Sequence, residues 1–145
     1  MTATQGPTMG RFSVEVELSN YEDVIRARLG QLLPGDVRHV RVRGVVDSGA
    51  TRLVIPASVA TQLGLETSGS TQVRYADGHT ADRNIVKYIH LAYGGRDSVF
   101  SAVVEPARES ILIGAIVLEE LDFLIDCVAQ RLVPRDPKQI VSEAE

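Results

Sequence analysis

The sequence predicts an all-β fold with one or two short helices, on three observations. Strict apolar–polar alternation recurs along the chain, clusters of Gly, Pro, Asp and Asn separate the alternating runs, and segments with helical punctuation are too short to make a helical layer. With 145 residues, 44% of them apolar and 23% charged, the chain has the make-up of one globular domain able to bury a core.

Each element follows from local pattern. FSVEVEL, residues 12–18, puts Phe12, Val14, Val16 and Leu18 on one face and Ser13, Glu15 and Glu17 on the other, as a half-buried strand does. Residues 20–33 leave two readings open: Asn20 can cap a short helix carrying Val24 and Leu29, or Gly30 and Pro34-Gly35 can mark a loop excursion. Residues 37–46 alternate again through Val40, Val42 and Val46, with Arg38, Arg41 and Arg43 read as a solvated face. Leu53, Val54 and Ile55 open a second core strand; Pro56 then suits the first turn of a helix over 57–63, which Gly64 stops. In residues 71–86, TQVRYADGHTADRNIV, Asp77-Gly78 is the strongest hairpin signal, and the polar arms predict that this hairpin projects. Residues 87–93 and 98–104 form strands on either side of Gly94-Gly95. Ile111 to Ile113 make a short buried strand ending at Gly114, 115–121 a helix, and 123–125 with 131–133 a last hairpin. No linker or repeat divides the chain, so residues 11–134 are expected to form one domain between an N-terminal tail, 1–10, and a polar C-terminal tail, 135–145.

Composition narrows the partners. A net charge of −4 with both signs interspersed gives no field for nucleic acid and no polybasic membrane patch, so neither is expected. The single cysteine, Cys127, cannot form an internal disulfide, the N-terminal region lacks the order of a signal peptide, and no apolar run is long enough to span a bilayer. A cytoplasmic location is the expectation. His39, His79 and His90 show no ligand spacing, so no metal or cofactor is expected. Cys127 reads as a small packing residue, Asp122 and Asp126 as solvated strand ends, and Tyr88 and Tyr93 as sheet packing.

The most informative stretch is VVDSGATRLVIP, residues 45–56. Asp47 stands on a tight connection between two apolar strands, a costly place for a carboxylate without hydrogen-bond donors or a chemical role. A glycine-tipped hairpin follows, and then ILIG leads into a helix. These three features, in this order, resemble the retropepsin-like aspartic proteases, including their small bacterial members. The resemblance covers roughly residues 11–134 and is most specific at VVDSGAT and at ILIGAIVLEELDFLIDCVAQRLV.

The resemblance implies a retropepsin-like closed β-barrel, one acid-protease half, and an aspartic endopeptidase acting on protein or peptide substrate. Such enzymes use two carboxylates that share a proton, and a chain with one Asp-Ser-Gly must take its second from another copy, which implies a homodimer. Asp47 would be catalytic, Ser48 would brace the two active-site loops, Gly49 would admit backbone N–H groups, and Ala50 would be the small residue beside the site. Because Ala50 has no hydroxyl to stabilise a charged pair, a strongly acid-shifted optimum is not expected. Tyr75, Ala76, Asp77, Gly78 and His79 would form a substrate-binding flap, and Ile113 and Gly114 would support the active-site loop from beneath. Three departures accompany the resemblance: Ala115 stands where viral members carry an interface Arg, the chain runs on past Val133, leaving FSVEVEL as a candidate for the interface sheet, and Asp77 and His79 make the flap tip more polar than the Gly-rich viral tips. Two other readings remain beside hydrolysis. One is a catalytically silent dimeric module of this fold that binds peptide or organises an assembly; the other is a small-ligand-binding β-barrel.

Overall fold

A computed structural model describes residues 11–136. In chain order its elements are β1 (Arg11–Asn20), α1 (Tyr21–Arg28), a 3-10 turn (Pro34–Asp36), β2 (His39–Asp47), β3 (Leu53–Pro56), α2 (Ala57–Gln62), β4 (Thr67–Arg74), β5 (Thr80–Tyr93), β6 (Arg96–Glu105), β7 (Ile111–Ile113), α3 (Ala115–Leu121), β8 (Phe123–Asp126) and β9 (Arg131–Pro134). The N-terminal tail expected at 1–10 lies outside the described residues, as does the C-terminal tail except Arg135 and Asp136.

The sheet runs β1-β2-β7-β3-β6-β5, and β5 returns to pair with β1 through Glu17–Ala92 to Asn20–Ile89, closing a barrel. β4 hangs on the outer part of β5, and β8 with β9 forms a separate two-stranded sheet. The all-β barrel expected from the sequence is present. Alternation sorts the side chains as anticipated: Val16 and Leu18 of β1, Val46 of β2 and Leu91 of β5 are buried and share one core with residues of α2 and α3. Among the described residues no helix is long and apolar enough to cross a membrane.

Several elements differ from the sequence reading, each for a physical reason. The outer hairpin arm and the 87–93 strand are one 14-residue strand, β5. A bulge between Val86 and Ile89, with Tyr88 at φ 64°, inserts residues that let Val86 and Ile89 both face the core although their parity is opposite. Tyr88 is pushed outward by that bulge and is 52% exposed, so it does not pack the sheet; Tyr93 does, edge-on against Phe123. FSVEVEL is a barrel strand, paired to β2 along its length and to β5 from Glu17 onward, while residues 12–16 keep one edge without a strand partner among the described residues. Cys127 is exposed at the β8–β9 turn and packs nothing. Asp122 is the left-handed C-cap of α3, and its carboxylate accepts from Arg135 Nε at 2.7 Å, so it is no solvated strand end.

The open segment after β1 is the capped helix. Asn20 Oδ1 accepts from the Asp23 N–H at 3.0 Å, while Asn20 Nδ2 donates to the Leu63 carbonyl at 2.9 Å, tying α1 to the end of α2. Asp23 is buried, and Arg38 precedes β2 instead of lying on its solvated face. The Arg38 guanidinium grips both Asp23 oxygens, at 2.8 and 3.0 Å, and its backbone N–H adds a third bond at 3.0 Å. Gly64, at φ 66°, makes room for this: the space that a Cβ would take is filled by the Arg38 guanidinium.

These hydrogen bonds from Arg38, the side-chain ones foremost, hold the Asp23 carboxyl below its ordinary value against the opposing effect of burial. A lowered folded-state value means that the contribution to stability is complete above the unfolded value, about 3.9, and is lost as pH falls through the folded value. Asp23→Asn is expected to cost about 2 kcal/mol at neutral pH, the scale of a charged hydrogen-bonded contact whose arginine is half exposed. Urea unfolding of parent and variant at pH 7 and in acid below pH about 4 checks this. The gap between them should narrow in acid, and an unchanged gap would remove the charge as its cause.

Candidate active site

β2 and β3 are consecutive in the chain but are not paired. β7 lies between them, parallel to β2 through Gly44–Ile111 to Val46–Ile113 and antiparallel to β3 at Val54–Leu112. The connection from β2 to β3 therefore crosses the end of β7, and Asp47, the last residue of β2, stands at the start of that crossing. Residue types with small side chains follow from this geometry. A Cβ on Gly114 would lie 2.6 Å from the Arg52 carbonyl oxygen and 2.7 Å from the Thr51 carbonyl carbon, so only glycine lets β7 run under the loop. The Ala115 and Ile116 N–H groups then donate to the Ala50 and Thr51 carbonyls at 2.8 and 2.9 Å. Ile113 is buried in register with Val46 directly below Asp47.

The Asp47 carboxylate is largely covered, its side chain 13% exposed. Oδ1 accepts from the Gly49 N–H at 2.9 Å, and a Cβ at Gly49 would sit only 3.2 Å from that oxygen. Oδ2 accepts from Arg11 Nη2 at 2.7 Å, because the β1–β2 register sets Arg11 opposite Asp47. Ser48 is exposed at the head of the loop, and Ala50 closes the turn by donating its N–H to the Asp47 carbonyl at 3.1 Å.

The hairpin between β4 and β5 turns over Tyr75 to His79. The Gly78 N–H donates to the Tyr75 carbonyl and the Tyr75 N–H to the His79 carbonyl, both at 2.9 Å, with Gly78 at φ 91°. Ala76, Asp77 and Gly78 therefore form a three-residue loop with the glycine in its left-handed position. The His79 ring stacks on Tyr75 at 4.5 Å between centroids and pairs with Asp77. The His79 backbone N–H, and then its ring, hold the Asp77 carboxyl below its ordinary value. Below the turn, the Tyr75 hydroxyl donates to Glu105 Oε2 at the end of β6, and Arg83 Nε donates to Glu105 Oε1 at 2.8 Å and to the Tyr75 oxygen at 2.9 Å. Burial, and then the bond to Glu105, push the Tyr75 hydroxyl above its usual value, and the Glu105 carboxylate raises Arg83. The hairpin is thus pinned to the barrel wall.

Hairpin and loop enclose a cavity of about 660 Å³. Tyr75 and His79 reach its wall from one side, and Ala50 with Thr51 and Arg52 from the other; Ala76, Asp77 and Gly78 form the tip beyond it, and Asp47, Ser48 and Gly49 lie outside its lining. Glu105, Arg83 and Arg11 escaped the sequence reading. Each acts through a partner far away in the chain, so no local pattern marks it. Among the described residues no group of three or more His, Cys, Asp or Glu side chains is placed to hold a metal ion.

A family model described as Aspartyl protease matches residues 33–117, which span β2, the Asp47 loop, the hairpin and the Gly114 segment. The chain belongs to the aspartyl protease family. No curated protein matches it. Among solved structures, a retropepsin-like aspartic protease from Rickettsia conorii is similar with 16% identity and a TM-score of 0.51, covering 85% of this chain and 80% of that one. The simian foamy virus (mac) protease aligns with 14% identity and a TM-score of 0.48, covering 74% of this chain and 91% of that one. The barrel is the retropepsin-like fold.

Gly114→Ala should force apart β7 and the loop that carries Asp47, because the methyl group meets backbone and cannot be accommodated by a rotamer change. A loss of about 2–3 kcal/mol in denaturant unfolding is expected. A variant as stable as the parent would show that the loop does not depend on this close approach.

Proposed function

We propose that this chain is a homodimeric aspartic endopeptidase in which two Asp47 carboxylates, one per chain, activate a water to hydrolyse peptide bonds. The observation that carries the reading is the fixed, largely covered Asp47 carboxylate at the crossing over β7, beside a cavity of about 660 Å³ walled by a hairpin. A lone carboxylate cannot both take a proton from water and give one to the carbonyl in the same step, whereas a pair sharing one proton can. The single Asp-Ser-Gly of this chain requires that pair to form across a two-fold axis.

In this reading one carboxylate, ionised, takes a proton from the water as it attacks the scissile carbonyl. The other, protonated, donates to the carbonyl oxygen, and the proton is later passed to the departing amine. Gly49 orients Asp47 through its N–H, Ser48 braces the loop of one chain against that of the other, and Ala50 leaves space beside the pair. Ile113 and Gly114 hold the loop from below. The hairpin from Tyr75 through Ala76, Asp77, Gly78 and His79 covers an extended substrate and excludes water. Oδ2 of Asp47 is engaged by Arg11 in the single chain, so pairing of the two carboxylates exchanges that contact. The same ion pair is what favours the second reading, a catalytically silent dimeric module in which Asp47 serves only as a structural partner of Arg11.

Asp47→Asn should keep the fold and lower cleavage of a denatured protein substrate by about three orders of magnitude or more. Cleavage at the parental rate would discard the hydrolytic reading. Activity per chain of the parent should also fall on dilution in step with the dimer fraction seen by sedimentation, and a fully active monomer would exclude the shared pair.

A further inference from the structure

The cavity beside Asp47 has a charge unlike that of the chain around it. The protein carries a formal net charge of −4, yet this cavity is lined by Arg52, Arg74, Arg83 and Arg108 against the single carboxylate of Glu105. Arg83 and Glu105 satisfy each other at 2.8 Å. Arg52 and Arg74 pair with no carboxylate among the described residues, and Arg108 is held through its Nε by the Ser110 carbonyl at 2.9 Å, which fixes its head without neutralising it. Three uncompensated guanidiniums around one concavity repel each other, and the concavity concentrates their field toward whatever enters it. The lining between them is largely apolar, with Val54, Val73, Val103 and Leu112 of β7.

Resting on the proposed peptidase function, we propose that this cleft selects peptide segments in which an apolar side chain, seated on this lining, is flanked by aspartate or glutamate. The complementarity is specific in chemistry. Arginine forks pair with carboxylates in two-point geometry, so an acidic side chain gains bonds that an amide of the same shape does not. A basic peptide would add charge to a site already positive. The arginines come from three different places, the loop after Asp47, the hairpin arm and the β6–β7 connection, so the preference is built by the assembled cleft and covers a stretch of extended substrate, not one side chain alone.

The test uses a labelled peptide with a central Leu-Phe pair flanked by glutamates, and its twin with glutamines. Binding is measured by fluorescence anisotropy on the full-length Asp47→Asn protein, where no turnover interferes, and cleavage on the parent. The glutamate peptide is expected to bind about tenfold or more tightly, and to show that advantage in KM more than in kcat. The advantage should shrink toward unity in about 1 M salt, where screening acts over about 3 Å. Arg74→Gln and Arg108→Gln should erode it most, while Arg74→Lys and Arg108→Lys, which keep the charge but lose the fork, should retain only part of it and control for folding. Equal binding of the twins, no binding of either, or a preference untouched by both glutamine variants would overturn acidic selection. Selective binding without any cleavage would instead count against hydrolysis and leave the selectivity standing.

Discussion

Most of this molecule's architecture follows from one insertion: a three-residue strand, β7, wedged between two strands that are neighbours in the chain. Because β2 and β3 cannot pair, their connection has to pass over the end of β7 at backbone contact distance. That contact removes the side chain from residue 114, supplies two N–H donors to the loop carbonyls and leaves Asp47 at the barrel's rim with its neighbours fixed. A carboxylate on an ordinary hairpin turn would be solvated and mobile; here its first oxygen is already bonded to backbone and its position is set by buried strands. The barrel's closure through β1 and β5 makes the frame stiff enough for this to hold.

The hairpin over the cleft has a second kind of constraint. β5 is at once the hairpin's outer arm and a barrel strand, with the bulge at Tyr88 marking the change of twist between the two roles. Glu105, at the end of the strand paired to β5, collects both Tyr75 and Arg83. The covering element is therefore continuous with the barrel through β5 and held to its wall by a charged hydrogen-bond network along its side. Opening it means separating a partly buried tyrosine, arginine and glutamate together, which makes the motion a transition between two arrangements more than a continuous fraying.

What the sequence made legible was local. Alternation in FSVEVEL and in residues 37–46 fixed which side chains face inward, Asp77-Gly78 marked the turn, and Gly64 marked a helix end, because period and turn chemistry are written in adjacent residues. The Asp47 loop and the Gly114 segment stood out as unusual residues in apolar surroundings. The relation between them did not: nothing in either segment states that β7 enters between β2 and β3. Arg38 looked like one of three equivalent arginines, and only the capped helix α1, itself an open reading, supplies the buried Asp23 that separates it from Arg41 and Arg43. The same holds for Glu105, an unremarked strand end until the hairpin folds onto it. Arg11 was invisible for the same reason, its partner being set by strand register 36 residues away.

The ion pair of Arg11 with Asp47 places the start of the first strand beside the carboxylate on which the proposed chemistry depends. A truncation or substitution that reaches Arg11 therefore alters the surroundings of a carboxylate 36 residues further along the chain, and trimming the barrel's first strand is a change to the site as well as to the frame.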